Sequence, residues 1–226
     1  IYPDNSSEHF EYNLQGTLVK EIARNGVETH YTLDHLDRPV SIKVLSKEGS
    51  LLYETTKVYN TFHLLKETDP LGNITSYRFD PAGRLQSITK GDLVTYFEYD
   101  ALSRLTKTTL TSLTHPNEGS VKRCVYDVMN HLIEESTESL DGQILTSTRF
   151  GYDNEGRQVR IEKDSSIREV VYDTHGVPAQ TIDPLGNVTK ARLILDYIND
   201  QGIRSYCLES IDPKGQITLS IQDSEG

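Results

Sequence analysis

The chain has no tryptophan, only two cysteines and only five phenylalanines among its 226 residues. Two thiols, Cys124 and Cys207, do not make a disulfide framework, and the sequence leaves open whether they pair. Apolar residues make up 35% of the chain and the mean hydropathy is −0.51. That is low for a compact globular core, since typical domains carry roughly 45–50% apolar residues with glycine counted. No stretch approaches the ~18 consecutive apolar residues of a membrane span. Positive charge is also short: the formal net charge is −11, so long-range attraction to phosphates works against nucleic-acid binding. No P-loop, dinucleotide fingerprint or Gly-x-Ser-x-Gly elbow occurs, and no pair of the scattered histidines has the i, i+4 spacing of a zinc site. An initiator methionine and a signal peptide are lacking as well. The chain therefore reads as a piece of something longer, truncated at both ends, whose missing targeting signal says nothing of the parent.

What the chain does have is tyrosine, 13 residues of it, and a phase. Asp-Pro-Leu-Gly-Asn occurs at 69–73 and again at 183–187. The stretch FEYDALSRL (97–105) recurs as YRFDPAGRL (77–85), RFGYDNEGR (149–157), CVYDVMNHL (124–132) and VVYDTHGVP (170–178), with looser copies at 10–18, 31–39 and 58–65. An Asp or Asn anchors each copy: Asn13, Asp34, Asn60, Asp80, Asp100, Asp127, Asp153 and Asp173, with Asn199 and Asp223 as ninth and tenth. Successive anchors are separated by 21, 26, 20, 20, 27, 26, 20, 26 and 24 residues. Such a fixed period is the signature of a repeat architecture.

The columns around the anchor have physical content. Immediately before it stand Tyr12, Leu33, Tyr59, Phe79, Tyr99, Tyr126, Tyr152 and Tyr172; three before it stand Phe10, Tyr31, Tyr77, Phe97, Cys124, Phe150 and Val170, with Lys57 the exception. Positions −1 and −3 lie on one face of a strand, because side chains alternate with period 2. Cys124 takes its place in this column as a buried structural thiol. Three after the anchor come Gly16, Asp37, Gly83, Ser103, Asn130, Gly156 and Gly176, mostly residue types that tolerate a left-handed backbone. Four after it, Arg38, Arg84, Arg104 and Arg157 recur within reach of the anchor carboxylate, and His131 substitutes for arginine.

Midway between anchors lies a second turn signal, and both copies of Asp-Pro-Leu-Gly-Asn occupy it. Asp caps the first turn position, Pro presets φ at the second and Gly supplies the permissive fourth. Sequons at Asn73 and Asn187 fall in the same turns, and a third begins at Asn5; the first two read as turn asparagines. The stretch DNEG (153–156) has a calcium-loop look but coincides with a repeat turn. Each repeat is thus strand, turn, strand, return turn. The expected fold is all-β: antiparallel strand–turn repeats, roughly 20 strands of 5–8 residues, forming a long curved or spiralling β-sheet. The stretch 130–140, the one helix-like segment, falls in a strand phase. The expected organisation is one continuous array over 1–226, of about nine to ten repeats of 20–27 residues.

The motifs YDALSRL, YDNEGR, FDPAGRL and DPLGN resemble the YD repeats of the RHS (rearrangement hotspot) family, over almost the whole chain. The family includes bacterial polymorphic toxins, components of insecticidal toxin complexes, wall-associated proteins and animal teneurins. In the toxins, repeats of this kind build a hollow shell around a C-terminal toxic domain, cut free by an aspartyl autoprotease of which this chain shows no convincing copy. The resemblance implies an internal stretch of shell wall, non-catalytic, in a secreted or cell-surface parent. Its partners would be the remaining repeats and an enclosed toxin domain. The alternative is an extracellular recognition module for a glycan or a surface receptor, for which exposed aromatics outside the two columns would speak; Tyr2, Tyr53, Tyr197 and Tyr206 are the candidates. No catalytic, cofactor-binding or metal-ligating set of residues is assigned, and the chain is expected not to be an enzyme.

Overall fold

The computed structural model describes residues 7–198, 202 and 204–222, the side chains of Arg204 and Gln222 excepted. The anchors Asn199 and Asp223, Tyr2 and the first two residues of the Asn5 sequon lie outside them. The described residues hold strands joined by turns, with no helix. Two compact units divide the chain, Ile1–Ser120 and Val121–Gly226.

The first unit carries β1 (His9–Tyr12), β2 (Leu18–Ile22), β3 (Glu28–Leu33), β4 (Pro39–Leu45), β5 (Leu51–Tyr59), β6 (Leu64–Thr68), β7 (Ile74–Phe79), β8 (Leu85–Lys90), β9 (Leu93–Tyr99) and β10 (Leu105–Ser112). Each strand pairs antiparallel with the next in chain order, as short connections require. β11 (Gly119–Tyr126) runs into the second unit, which continues with β12 (Leu132–Ser139), β13 (Ile144–Tyr152), β14 (Gln158–Lys163), β15 (Ser166–Tyr172), β16 (Pro178–Ile182), β17 (Val188–Ile198), β18 (Arg204–Ile211) and β19 (Ile217–Gln222). From β12 to β19 the pairing is again antiparallel and sequential. Strand lengths run from 4 residues in β1 to 11 in β17, a wider range than expected. Within the stretch 130–140, Leu132–Ser139 is the strand β12.

Anchor turns share one geometry. At Asp80 the backbone N–H donates to Arg84 O (2.8 Å) and Gly83 N–H donates back to Asp80 O (2.9 Å), with Gly83 at φ 82°. This is a tight turn closed by a left-handed residue, the three-residue hairpin connection. It leaves a bulge in the ladder, so Phe79 pairs with Leu85 after a register shift. The left-handed column holds where the residue is not glycine: Asp37, Ser103 and Asn130 have φ 58°, 64° and 71°. Return turns repeat the pattern, with Asp69 N–H on Asn73 O and Gly72 N–H on Asp69 O, both 2.9 Å. Two are tighter. Asp164 and Ser165 both have positive φ (45° and 75°) between the paired Lys163 and Ser166, and Gly91 opens a two-residue loop between Lys90 and Leu93. Those are the primed turns whose twist matches that of the strands.

The register puts the aromatic columns on one face. In the first unit Tyr77 pairs with Ile88 and Ile88 with Thr95, in phase with Phe79, Phe97 and Tyr99. In the second, Phe150 pairs with Ile161 and Ile161 with Arg168, in phase with Tyr152 and Tyr172. Lys57, the exception in its column, faces Glu67 across the strand pair and forms an ion pair with it at 3.5 Å. Few apolar side chains are buried: Val44, Val94, Val121 and Cys207 among the described residues, of which Cys207 alone is fully buried. Phe10 and Tyr12 are exposed, and the other column rings are half-buried.

Candidate functional site

The most regular constellation among the described residues links several repeats to the next. An anchor carboxylate first spends itself on its own turn: Asp80 Oδ1 accepts N–H groups of Ala82 and Arg84, both at 2.9 Å, and Oδ2 accepts Arg84 Nε at 2.7 Å. The guanidinium held there lies over the aromatic ring of the following repeat. Arg84 sits 4.9 Å from the Tyr99 ring centre, Arg38 4.4 Å from Tyr59 and Arg157 4.7 Å from Tyr172. The tyrosine hydroxyl completes the link by donating to a carbonyl of the preceding repeat: Tyr99 to Leu85 O (3.0 Å), Tyr152 to Leu132 O (2.9 Å) and Tyr172 to Gln158 O (3.2 Å). Carboxylate, cation and ring therefore form a relay.

His131 stands in the arginine column as the sequence predicts. Its Nδ1 is 2.9 Å from Asp127 Oδ2 and its ring stacks on Tyr152 at 4.5 Å. His63 does the same on Phe79 at 4.1 Å, a substitution that sequence reading missed because its turn is one residue shorter. Imidazole is shorter than the arginine side chain, and grooves of ≈470 and ≈600 Å³ open beside these two turns.

Electrostatics at the anchors follows from this bonding. The Arg38 guanidinium beside Asp34 holds its carboxyl down to about 2, helped by the N–H groups of Arg38 and Leu36. At Asp80 and Asp100 the backbone N–H of the +4 arginine is the leading cause of a lowered value. Asp69 and Asp183 are lowered chiefly by the side-chain amides of Asn73 and Asn187, whose Nδ2 atoms donate to them at 2.8 Å. Both sequon asparagines are thus turn residues. Asp153, in the stretch with the calcium-loop look, accepts two backbone N–H groups and Arg157 Nε, the same turn bonding as at Asp80. No group of three or more His, Cys, Asp or Glu among the described residues is placed to hold a metal.

One cluster assembles hydroxyls, a histidine and a carboxylate that the sequence does not announce. Asp92 Oδ2 accepts the hydroxyls of Ser112 and Thr114, and His115 Nδ1 lies 2.9 Å from Thr114 Oγ1. In a nucleophilic triad the carboxylate orients the imidazole. Here it binds the hydroxyls instead, and Asp92 also receives the backbone N–H groups of Leu113 and Thr114. The cluster ties the 113–118 loop to the Gly91–Asp92 turn. In the second unit a cavity of ≈420 Å³ contains Arg192 and the buried Glu209, paired at 2.7 Å.

Cys124 and Cys207 do not pair; both are free. Cys207 is fully buried, whereas Cys124 is half-buried and burial pushes its thiol up. Of the aromatics outside the columns, Tyr53 and Tyr206 are exposed and Tyr197 is half-buried. Tyr96 is exposed too; it was not singled out in the sequence because it neighbours the −3 column residue Phe97.

The RHS Repeat family model matches residues 59–95. Double-stranded DNA deaminase toxin A of Burkholderia cenocepacia (strain H111) is 27% identical over 220 residues, 97% of this chain and 12% of that protein. The crystal structure of TcdB2-TccC3-Cdc42 is similar with a TM-score of 0.59 and 17% identity, over 100% of this chain and 13% of that one. The crystal structure of TcdB2-TccC3 without hypervariable C-terminal region gives 0.59 and 18%, over 95% and 13%. The chain thus spans about an eighth of the length of the proteins it matches. Residues 59–95 thus match the RHS repeat model, and the antiparallel strand–turn fold of the chain is similar to the one in those structures.

Proposed function

We propose that this chain is a non-catalytic wall segment of an RHS shell that encloses or presents a C-terminal effector domain in a secreted or delivered parent protein. The observation that carries the reading is the relay. Arg38, Arg84 and Arg157 each hand a cation to the ring of the next repeat, and His63 and His131 stack there instead, so interactions that shape the turns are also those by which an array is extended. The array is read as one continuous region over 1–226, and its partners are further repeats and an enclosed domain. Similarity to a protein named as a toxin, of which this chain would cover a small share, supports the reading. The functional groups with regular placement are spent on turns, so the purified chain should hydrolyse no glycan, peptide or phosphoester. Turnover abolished by one Asp, Ser or His substitution would overturn that part.

The test of encapsulation uses the parent protein. Deleting residues 60–173 should open the wall and let added protease reach the downstream domain, while the intact parent shields it. Equal cleavage in both forms would remove encapsulation. Recognition of a surface glycan or receptor is the second reading, favoured by the exposure of Tyr53 and Tyr206 outside the aromatic columns.

A further inference from the structure

In the second unit, the groove of ≈470 Å³ beside the His131 turn is lined by Ile133, Phe150 and Tyr152 and by three carboxylates, Asp127, Asp153 and Glu155. The equivalent turns elsewhere in the chain show what such a space holds. Arg84 lies over Tyr99, and its Nη1 donates onward into the following turn, to Asp100 O (3.3 Å) and Ser103 Oγ (3.2 Å). Arg38 Nη1 donates likewise to Thr61 O (3.2 Å). At those turns a guanidinium fills the space between one anchor turn and the next.

His131 keeps only half of that arrangement. Its Nδ1 bonds Asp127 Oδ2 and its ring stacks on Tyr152. With Nδ1–H donating to the carboxylate, Nε2 of the neutral imidazole is an acceptor. It lies against the groove at Gly156, 3.0 Å from where a Cβ there would stand, and has no hydrogen-bond partner among the described residues. The turn at Asp153–Gly156 receives no donor from His131. Positive charge is short as well: Arg157 pairs with Asp153 at 2.7 Å and Glu155 at 2.9 Å, one cation beside three carboxylates. Met129 lines the groove and Val128 precedes it in the same turn, 73% and 97% exposed. Exposed apolar side chains beside a charged slot, an adaptable methionine among them, suit contact with a polypeptide. The groove at His63 lacks the imbalance, because its anchor is Asn60 and its carboxylate, Asp80, is held by Arg84 at 2.7 Å.

We propose that the His131 groove takes the guanidinium of an arginine presented by a partner polypeptide, in the place that the chain's own arginine fills at other turns. Its N–H groups donate to His131 Nε2 and to the carbonyl and carboxylate oxygens of the Asp153 turn, acceptors that a planar fork of donors matches. Its methylene stem packs on Ile133 and Met129, and an apolar neighbour in the partner meets Val128. The net charge of −11 favours the approach of a basic segment. The groove is open to water, so affinity for a short peptide is on the order of millimolar and weakens with salt. The site does not rest on the wall reading and stands or falls separately from it.

Two-dimensional NMR on the purified chain tests this, with acetyl-Leu-Arg-Leu-amide, acetyl-Leu-Gln-Leu-amide and ethylguanidinium as probes. The arginine peptide should shift the Gly156 amide and the His131 ring protons. The glutamine peptide should bind ~10-fold more weakly or worse, since hydrogen bonds from a charged donor are worth about that factor. His131→Arg should abolish the shifts by filling the groove from within, and it should fold, because Arg38, Arg84, Arg104 and Arg157 hold that turn position in other repeats. Glu155→Gln, at a position 71% exposed, should weaken binding by about 2–5-fold, while His63→Arg should leave it unchanged. Absence of shifts at tens of millimolar arginine peptide overturns the proposal, as does binding that survives His131→Arg. Equal binding of the glutamine peptide would reduce the site to an apolar contact and overturn the guanidinium assignment. Ethylguanidinium bound as tightly as the arginine peptide would make this a small-cation site and overturn the polypeptide partner.

Discussion

At the scale of single residues, the anchor turns concentrate strain and charge in five positions. The left-handed glycines Gly83, Gly156 and Gly176 have φ of 82°, 78° and 78°. Replacing one with valine should cost about 1–3 kcal/mol through backbone strain. Gly156 should be the most sensitive, because a Cβ there would meet His131 Nε2 at 3.0 Å; urea titration of the three variants would show whether that ranking holds. The anchor carboxylates set the pH response. Their folded values lie below their ordinary ones, as at Asp34, which the Arg38 guanidinium holds at about 2. The sign follows from linkage: a carboxyl lowered in the fold binds fewer protons than in the unfolded chain near its ordinary value of ~3.9. The stability it contributes is complete above that value and drains away as pH falls through the folded one. Unfolding should therefore set in between pH ~4 and ~2, and Arg38→Met should move its onset to higher pH. An onset unmoved by Arg38→Met would detach this pair from acid stability.

At the scale of the element, the relay converts turn chemistry into repeat-to-repeat adhesion. Tyr152 touches His131 through its ring and Leu132 O through its hydroxyl. Tyr152→Phe should lose only the hydrogen bond, about 0.5–1.5 kcal/mol. Tyr152→Ala should lose the stack as well, yet fall short of the ~3–5 kcal/mol of a fully buried aromatic, because the ring is half-buried. Equal losses for both variants, measured by equilibrium unfolding, would show that the ring contributes nothing. This is also the scale at which the sequence was most legible. Period-2 columns, turn residues and the left-handed column, Asp37, Ser103 and Asn130 included, are local properties, and local properties survive in a string of letters. The reach from Arg84 to Tyr99 was not legible, since the columns gave only the contact of the arginine with its own anchor. Cys124 was expected to be buried and is half-buried, while Cys207, outside any column, is the sealed thiol; a column fixes a face but not what covers it.

At the scale of the whole molecule, the thin burial sets the mode of unfolding. With Val44, Val94, Val121 and Cys207 the only buried apolar residues among those described, no shared core binds distant strands to one fate. Stability instead resides in nearest-neighbour links, strand to strand and relay to relay, as in a one-dimensional array. Substitutions within one relay, such as Asp153→Asn with Arg157→Met, should be non-additive because they remove the same contact. Arg38→Met with Arg157→Met should add, since the two relays share no partner. For the same reason local openings should precede global unfolding, with hydrogen-exchange protection differing from repeat to repeat. A single coincident transition by all probes, with calorimetric and van't Hoff enthalpies equal, would instead demand a cooperative core. For the wall role proposed above, the array behaviour has a use. A link that fails locally disturbs its neighbours and not the whole, so a wall built this way can yield at one seam while the repeats on either side keep their turns.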